Sequence, residues 1–415
     1  MQMVYNRLME KITTAIIGGG AAGLFLATNL TTAQNVALFE RGERVGRKLS
    51  STGNGQGNIT NLAVKETEYF SFSPRGKALA SKLIRRFDER ALCNHFERAG
   101  LLLSADGRGR VYPAGKQASA LTDGLRYLVA AKGVTLYQNS KVTAVEKTNG
   151  GFVLNVERGE KTERFFAENV VLCAGGKAAK NFGTDGSAYA LAQAFGHTVT
   201  KLYPSLVQLK TELAPIKTLK GIKVNDARVM VRYLGGEETL IGDLLFTDYG
   251  VSGDAIFRLS AFVADKIEGA YLTVDFLPDF SEERIFATLQ EKIKNLPNLP
   301  CGELLCGIVN NQLARAVMKR ADGDIRRAAR EVKNFTLKIT GTLGFDYAQV
   351  TKGGVCVDEV DDELQSKKVE GLYFAGEILD IDGQCGGFNL QWAYSSACTV
   401  AAAIDRKMQK GRGQV

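Results

Sequence analysis

The sequence predicts an α/β protein. A parallel-sheet nucleotide-binding domain, made from both ends of the chain, is interrupted by an inserted β-rich and helical region. Three observations carry this reading. A βαβ unit opens the chain, with a glycine-rich turn between its first strand and its helix. After about residue 200 the pattern changes to alternating strands and then to helices. A short buried strand over 371–375 and a long helix over 388–408 then return to the opening style.

The totals bound the classes. A chain of 415 residues exceeds one core, so two or three domains are expected. Hydrophobic residues make up 45%, which suits an ordinary globular protein. Forty-five glycines against 7 prolines fit tight strand-to-helix turns better than disordered linkers. Lys+Arg 53 against Asp+Glu 45 gives a net charge of +8, but the charges are interspersed and form no long basic run. That describes a solvated surface with a mild positive bias, and no nucleic-acid partner is expected.

Seven cysteines are present, with no CxxC spacing, and no histidine accompanies the nearest pair, Cys301 and Cys306. No metal site is expected, and a reducing cytoplasm is the natural setting. The apolar stretch over 15–30 is broken by Gly18, Gly19, Gly20 and Gly23, so it is neither a signal-peptide core nor a membrane span.

The elements follow in order. Residues 1–10 read as a loose lead-in, 11–17 as a buried strand, 21–30 as a helix and 35–40 as a second strand, the length a βαβ unit needs. Helical spacing of Leu, Phe, Arg and Lys predicts two helices over 74–100. Val111-Tyr112-Pro113 marks a turn, and 118–132 a further helix. Strands are expected at 135–138 and 141–147, then a hairpin turn at Asn149-Gly150-Gly151 and a returning strand over 152–158. Residues 170–173 form a short apolar strand. Beyond the change of pattern, 207–213, 222–234 and 239–246 read as antiparallel strands, and 281–332 as mostly helical with Pro297 and Pro300 as breakers. Strand pattern resumes after Phe335.

Three constellations carry chemistry. Gly18-Gly19-Gly20-Ala21-Ala22-Gly23 matches G-x-G-x-x-G directly after a strand and at the start of a helix. Gly18 permits the tight turn, Gly20 lets backbone approach a pyrophosphate, and Gly23 lets helix and strand pack closely. The helix N-terminus then faces the phosphate charge. Glu40 ends the second strand, where a carboxylate accepts from ribose hydroxyls and repels a 2′-phosphate. Arg41 follows it and is expected to contact the cofactor as well.

The second constellation runs from Arg47 through Lys48 to Asn54, Gly55 and Asn58, a glycine-rich loop able to wrap a flat ligand, with Lys48 placed for a phosphate or a ring. The third is the strand ending in Gly376-Glu377, followed by Gly386-Gly387-Phe388-Asn389-Leu390-Gln391. A Gly-Glu strand end resembles the second flavin-contact strand of two-dinucleotide-fold flavoproteins. The helix opening at Gly387 would stabilise an anionic reduced ring. This segment separates FAD from NAD as the bound cofactor.

On these residues the chain resembles the BaiN-like (YhiN-type, aminoacetone-oxidase-type) FAD-binding flavoproteins. The resemblance covers nearly the whole chain through IIGGGAAG, GRKLSSTGNGQGNITN, GRVYP, AGGKAAKNFGTDGSAYALAQAFGH, LLFTDYGVSG, AQVTKGGV and GLYFAGEILDIDGQCGGFNLQWAYSSA. It implies a Rossmann-like FAD-binding domain over 1–195 and 352–415, a β-barrel-like domain over 196–255 and 333–351, and a helical insert over 256–332. It also implies FAD contacts at Gly18, Gly20, Gly23, Glu40, Lys48, Gly376, Glu377, Asn389 and Leu390, with Val142 on the adenine side and Ala174-Gly175 along the dinucleotide. Two departures stand out. Gly55-Gln56-Gly57-Asn58 lacks the Arg and Cys of the family's G-R-C-N, so no role of those side chains carries over. Cys173 stands where relatives often have Thr and reads as a core residue.

The expected function is hydride transfer between flavin N5 and a small or medium organic substrate, with NAD(P)H as transient donor. No second GxGxxG is present to hold a nicotinamide dinucleotide of its own. The alternatives are an oxygen-dependent amine oxidase releasing hydrogen peroxide and an RNA-binding flavoprotein. Catalytic residues and oligomeric state are left unassigned. His197 and Tyr203 are acid candidates, His95 and Trp392 read as structural, and Cys385 as packing or pocket lining.

Overall fold

The structure is a computed structural model that describes residues 10–31, 35–64 and 69–412. The lead-in expected over 1–10 lies outside the described residues apart from Glu10. The chain divides into two compact units, Met1–Leu202 with Val350–Val415, and Tyr203–Gln349.

The first unit is organised by a seven-stranded sheet. Its opening elements are β1 (Glu10–Ile17), α1 (Ala21–Asn29) and β2 (Val36–Phe39). β1 is flanked by two parallel partners, β2 on one side and the strand Lys161–Leu172 on the other. β2 pairs in parallel with Thr135–Tyr137, and Leu372–Phe374 joins the far end of Lys161–Leu172, also in parallel. The beginning of that long strand turns instead into an antiparallel meander with Gly151–Arg158 and Lys141–Thr148. Thr148 pairs with Gly151 across the Asn149-Gly150 turn, as the turn signal predicts.

Register sets up the site. Ile17 is paired with both Phe39 and Leu172, and Leu172 with Phe374. The next residues, Gly18, Glu40, Cys173 and Ala375, therefore leave the sheet along one edge. In an open parallel sheet the carboxyl ends of the strands frame the crevice where ligands bind.

The packing explains the pattern. Residues 14–17 of β1 are all buried, as expected for a parallel strand covered on both faces. α1 is buried from Ala22 to Thr28 and packs against the helix Phe388–Arg412. A helix buried all round must be apolar all round, which is why it shows no amphipathic stripe. Between these helices Phe25 sits edge-on to Tyr394 and Phe96, with ring centroids 5.2 and 5.7 Å apart.

Two local expectations differ from the structure. Val111-Tyr112-Pro113 is not a turn but part of the strand Arg110–Pro113, held between Thr60–Asn61 and Leu103–Ala105. Pro113 donates nothing, and the ladder passes to Ala114, whose N–H donates to Leu102 O over 2.8 Å. The strand expected at 170–173 is the end of a twelve-residue strand whose charged first half lies in the hairpin.

The second unit is a closed antiparallel barrel of six strands. Around the barrel they run Leu209–Thr211, Gly250–Ser252, Gly236–Phe246, Lys223–Tyr233, Tyr271–Asp275 and Phe335–Thr342, and the last pairs back to the first. Ala227, Val229 and Val231 alternate inward along one strand, and closure removes the exposed edges. Helices Asp254–Val263, Glu282–Asn295, Asn311–Arg320 and Ile325–Lys333 complete the unit. Ser281, Asn310 and Asp324 cap the last three, each accepting from a first-turn N–H. The stretch 256–332, expected as helical, also contributes the barrel strand Tyr271–Asp275, whose Leu272 and Val274 face the core.

Candidate functional site

The site is built at the sheet edge just described. Gly18 leaves β1 with φ +110°, and a Cβ there would lie 2.6 Å from Ala174 Cα. The first turn thus rests directly on the segment after Lys161–Leu172, which brings Ala174 and Gly175 beside it. Gly23 is packed harder still: a Cβ would meet Gly18 O at 2.0 Å. Gly20 is different, because nothing lies within 4 Å of its Cβ position. It is the N-cap of α1, with no side-chain cap and no acidic residue in the first turn. Ala21 and Ala22, which follow, add no polar side chain. The N-terminal amides of α1 are therefore left for an anion to satisfy.

Glu40 is fixed by the same turn. Its Oε2 accepts from Gly19 N–H at 2.8 Å and its Oε1 from Gly42 N–H at 2.7 Å. Each oxygen keeps a second lone pair for a hydroxyl donor. Ser140 N–H donates to the backbone carbonyl of Glu40 at 2.8 Å, so the strand carrying buried Val142 starts next to that residue. These groups fit an adenosine diphosphate moiety: an open glycine, uncapped amides and an anchored carboxylate with free acceptor capacity.

The C-terminal segment meets this half. Gly376, at φ +78°, would place a Cβ 2.7 Å from Ala22 Cβ, so it lies on the first turn of α1. The final helix holds its peptide from both sides. Gly376 N–H donates to Ser396 Oγ at 2.9 Å, and Trp392 Nε1 donates to Gly376 O at 3.1 Å. Glu377 then pairs with Lys48 Nζ at 2.7 Å, and its other oxygen accepts from Thr351 N–H at 2.9 Å. Thr351 Oγ1 in turn accepts from Lys177 and Ala178 N–H at 2.7 and 2.9 Å. Three stretches far apart in sequence are tied at one carboxylate.

Nearby, Tyr189 is buried, and its hydroxyl has no hydrogen-bond partner among the described residues. Burial, with Glu377 and Asp380 adding to it, pushes its pKa up. An unsatisfied buried donor is a group that a bound ligand would satisfy.

Other expected residues have different partners. Arg41 reaches the loop beyond Ala174, donating to Asp185 Oδ2 at 2.8 Å, to Ser187 Oγ at 3.2 Å and to Gly183 O. Burial opposes ionisation of Asp185, yet hydrogen bonds from Arg41 and Ser187 hold its carboxyl at about 2. Asn54 and Gly55 are exposed, and Gly55 O accepts from Ala118 N–H at the start of a helix. Gly387 opens the final helix so close to Thr60 that a Cβ would lie 2.4 Å from Thr60 C. Asn389 spends its side chain on Gly383, accepting from its N–H at 2.9 Å and donating to its O at 2.8 Å. Its Nδ2 also donates to Gln384 O at 3.3 Å, while Oδ1 keeps a second lone pair. Leu390 is half-buried beside the core.

His197 is not placed as an acid. Its ring has no exposure and lies between Ser366 Oγ at 2.7 Å and Glu359 Oε2 at 3.2 Å. His95 sits in the aromatic cluster with Phe25, and burial pushes it down to about 4. Trp392 is buried, as expected of a core residue, but its indole N–H also fixes Gly376. Neither that role nor those of Ser396, Thr351 and Asp185 has a local signal in the sequence. Among the described residues no cluster of His, Cys, Asp and Glu could hold a metal ion. No described helix is long and apolar enough to cross a membrane.

Comparison with known proteins bears on the family and the fold. The family model for the HI0933-like protein Rossmann domain matches residues 12–403. A 3-dehydro-bile acid delta(4,6)-reductase from Clostridium scindens is 34% identical, over 92% of this chain and 96% of its own. A ribosomal RNA dihydrouridine synthase from Haemophilus influenzae is 28% identical over 94% of this chain and 98% of its own. One of the same name from Escherichia coli is 28% identical over 95% and 98%. Among solved structures, a 3-ketosteroid delta1-dehydrogenase from Sterolibacterium denitrificans shares the fold at TM-score 0.50 and 14% identity, covering 96% of this chain and all of that one. The two RNA-related relatives mean that the expected absence of a nucleic-acid partner is not supported.

Proposed function

The chain belongs to the HI0933-like Rossmann-domain family and is an FAD-dependent oxidoreductase; from that premise we propose that it reduces a carbon–carbon double bond conjugated to a carbonyl, with NAD(P)H as the electron donor. The observation that carries the reading is the seating of Gly376-Glu377 on the first turn of α1, with Glu377 fixed by Lys48. The relatives' printed names supply the reaction class. Delta(4,6) reduction and dihydrouridine formation both saturate a double bond conjugated to a carbonyl.

When bound, FAD supplies hydride exchange at N5. The chain does the rest. The uncapped amides of α1 take the pyrophosphate charge, and Glu40 accepts from ribose hydroxyls. Lys48 and Thr351 N–H hold the Glu377 carboxylate in one orientation. The N-terminal end of the final helix favours negative charge on the reduced ring. A nicotinamide donor docks transiently, because the inserted region carries no second glycine motif of this kind.

The test is an anaerobic one. Purified protein should be yellow, bleach with NADH or NADPH, and regain colour on addition of a conjugated enone such as cyclohexenone. A colourless protein that cannot be reconstituted with FAD sinks the reading. Recovery of colour only with oxygen, with release of peroxide, replaces it with the oxidase.

A second reading takes the double bond in the uracil ring of RNA. It is favoured by the two relatives at 28% identity and by the net charge of +8. Dihydrouridine formed in a ribosomal RNA fragment, with no turnover of small enones, would establish it.

A further inference from the structure

We infer that residues 179–187 form a strap that gates entry and release of the dinucleotide, an inference that rests on the FAD placement proposed above. The strap starts where the two halves of the site meet. Ala174 lies against Gly18, and Gly176 lies against Glu377, whose Oε1 would be 3.0 Å from a Cβ on that glycine. The chain then leaves, turns through Lys180–Phe182 and comes back, and Gly186 N–H closes the loop on Gly176 O at 3.0 Å. Ends this close make the segment a compact Ω-type loop. It is also braced within itself. Thr184 Oγ1 donates to Ala178 O, with Ala179 O at 3.2 Å, and Gly183 N–H donates to Lys180 O at 2.9 Å. Such a loop moves as a unit.

Its hold on the rest of the chain is narrow. No residue of Lys180–Phe182 is buried. Among the described residues, the hydrogen bonds that tie 180–185 to the chain outside 176–187 come from two arginines. Arg41 donates to Asp185 Oδ2 at 2.8 Å and to Gly183 O, and Arg47 donates to Asn181 O at 2.9 Å. Arg41 follows Glu40 in sequence, and Arg47 precedes Lys48. The strap is thus rooted beside Gly18 and Glu377 and latched beside Glu40 and Lys48, the groups assigned to the cofactor. The Arg41–Asp185 pair is about one-third exposed on each side, so water and salt reach the latch. A turn with no buried residue and a solvent-reached latch opens at low free-energy cost.

Gating has a kinetic signature. A latch that is shut both with and without cofactor slows FAD in both directions. Loosening it raises the association and dissociation rates together and leaves the affinity nearly in place. Losing a contact to FAD raises the dissociation rate alone. The two ends of the latch also allow a charge control. Asp185→Asn removes a negative charge and Arg47→Gln a positive one. Steering of anionic FAD would therefore move their association rates in opposite directions, whereas a gate moves both up.

Rebinding of FAD to stripped protein is followed by flavin fluorescence in stopped flow, and release by dilution of holoenzyme. Asp185→Asn should raise both rates at least about fivefold and Arg47→Gln at least about threefold, with Kd within about twofold of wild type. Trypsin cleavage after Lys180, located by mass, reads opening directly and should quicken by similar factors in the variant holoenzymes. Variants that speed only release, or that leave both rates at the wild-type value, overturn the inference. Arg47 is exposed, so if Asp185→Asn does not fold, Arg47→Gln decides alone: association that slows rather than quickens sinks the gate. Protein that takes up FAD with these rates unmoved fails the strap only. Protein that takes up no FAD fails the cofactor placement and the strap with it.

Discussion

Trp392 and Gly376 are joined by a hydrogen bond of 3.1 Å from the indole Nε1 to the glycine carbonyl, inside the core of the first unit. The contact makes the final helix a clamp on the peptide that seats against α1. Trp392→Phe keeps most of the packing and leaves that buried carbonyl without its donor. A loss of about 1–2 kcal/mol in unfolding free energy is expected, with faster release of FAD. Urea denaturation and the rate of flavin loss on dilution check both.

Gly20 and Gly23 separate ligand binding from folding. Gly23→Ala drives a Cβ to 2.0 Å from Gly18 O, and a loss on the order of 3 kcal/mol is expected. Gly20→Ala meets no protein atom within 4 Å, so stability without cofactor should change by less than about 1 kcal/mol. The same methyl would intrude on the pyrophosphate, and FAD affinity should fall at least about tenfold. Thermal melts of apoprotein and fluorescence titration with FAD distinguish the two variants.

The Lys48–Glu377 pair is about one-fifth exposed on each side. A double-mutant cycle with Lys48→Met and Glu377→Gln should return a coupling of about 1 kcal/mol. Glu377→Gln also weakens the bond from Thr351 N–H, so it should be the more damaging single change. Denaturation midpoints of the four proteins measure this.

Stability should depend on pH through His95. Burial, with Arg98 and Lys132 adding to it, lowers its pKa from 6.5 to about 4. The unfolded chain therefore binds the extra proton first as pH falls. Stability from this group is fully present above pH 6.5, declines below it and levels off near pH 4, a total on the order of 3 kcal/mol. His95→Gln should be less stable at neutral pH but flatter across this window. Urea midpoints between pH 7 and pH 4 give the comparison.

These residues also mark how far the sequence could be read. The βαβ unit, the glycine turn, Glu40 and the final helix were legible because their signals are local periodicity and fixed spacing. The strand at Tyr271–Asp275 was not, because five residues within a helical stretch become a strand only through barrel partners on both sides. Arg110–Pro113 failed for a related reason: the proline gives a turn signal that flanking strands override. At the site, Lys48 and Glu377 were each named from their own motifs, but their pairing was invisible. Arg41 beside Glu40 suggested a cofactor contact, and only the folded loop reveals Asp185 as its partner.

The register that aligns Ile17, Leu172 and Phe374 has a consequence for biosynthesis. Lys48 is translated 329 residues before the carboxylate it grips. The barrel's pairings all fall within 203–349, so that unit can close while the strand ending at Phe374 is still unmade. The nascent N-terminal half must wait, its sheet one strand short and its glycine turn lacking Gly376. Completion of the glycine turn is therefore a late event in the life of the chain. Until Leu372–Phe374 is made, the end of Lys161–Leu172 lacks that parallel partner, and an unpaired strand edge is the kind of surface a chaperone would be called on to shield.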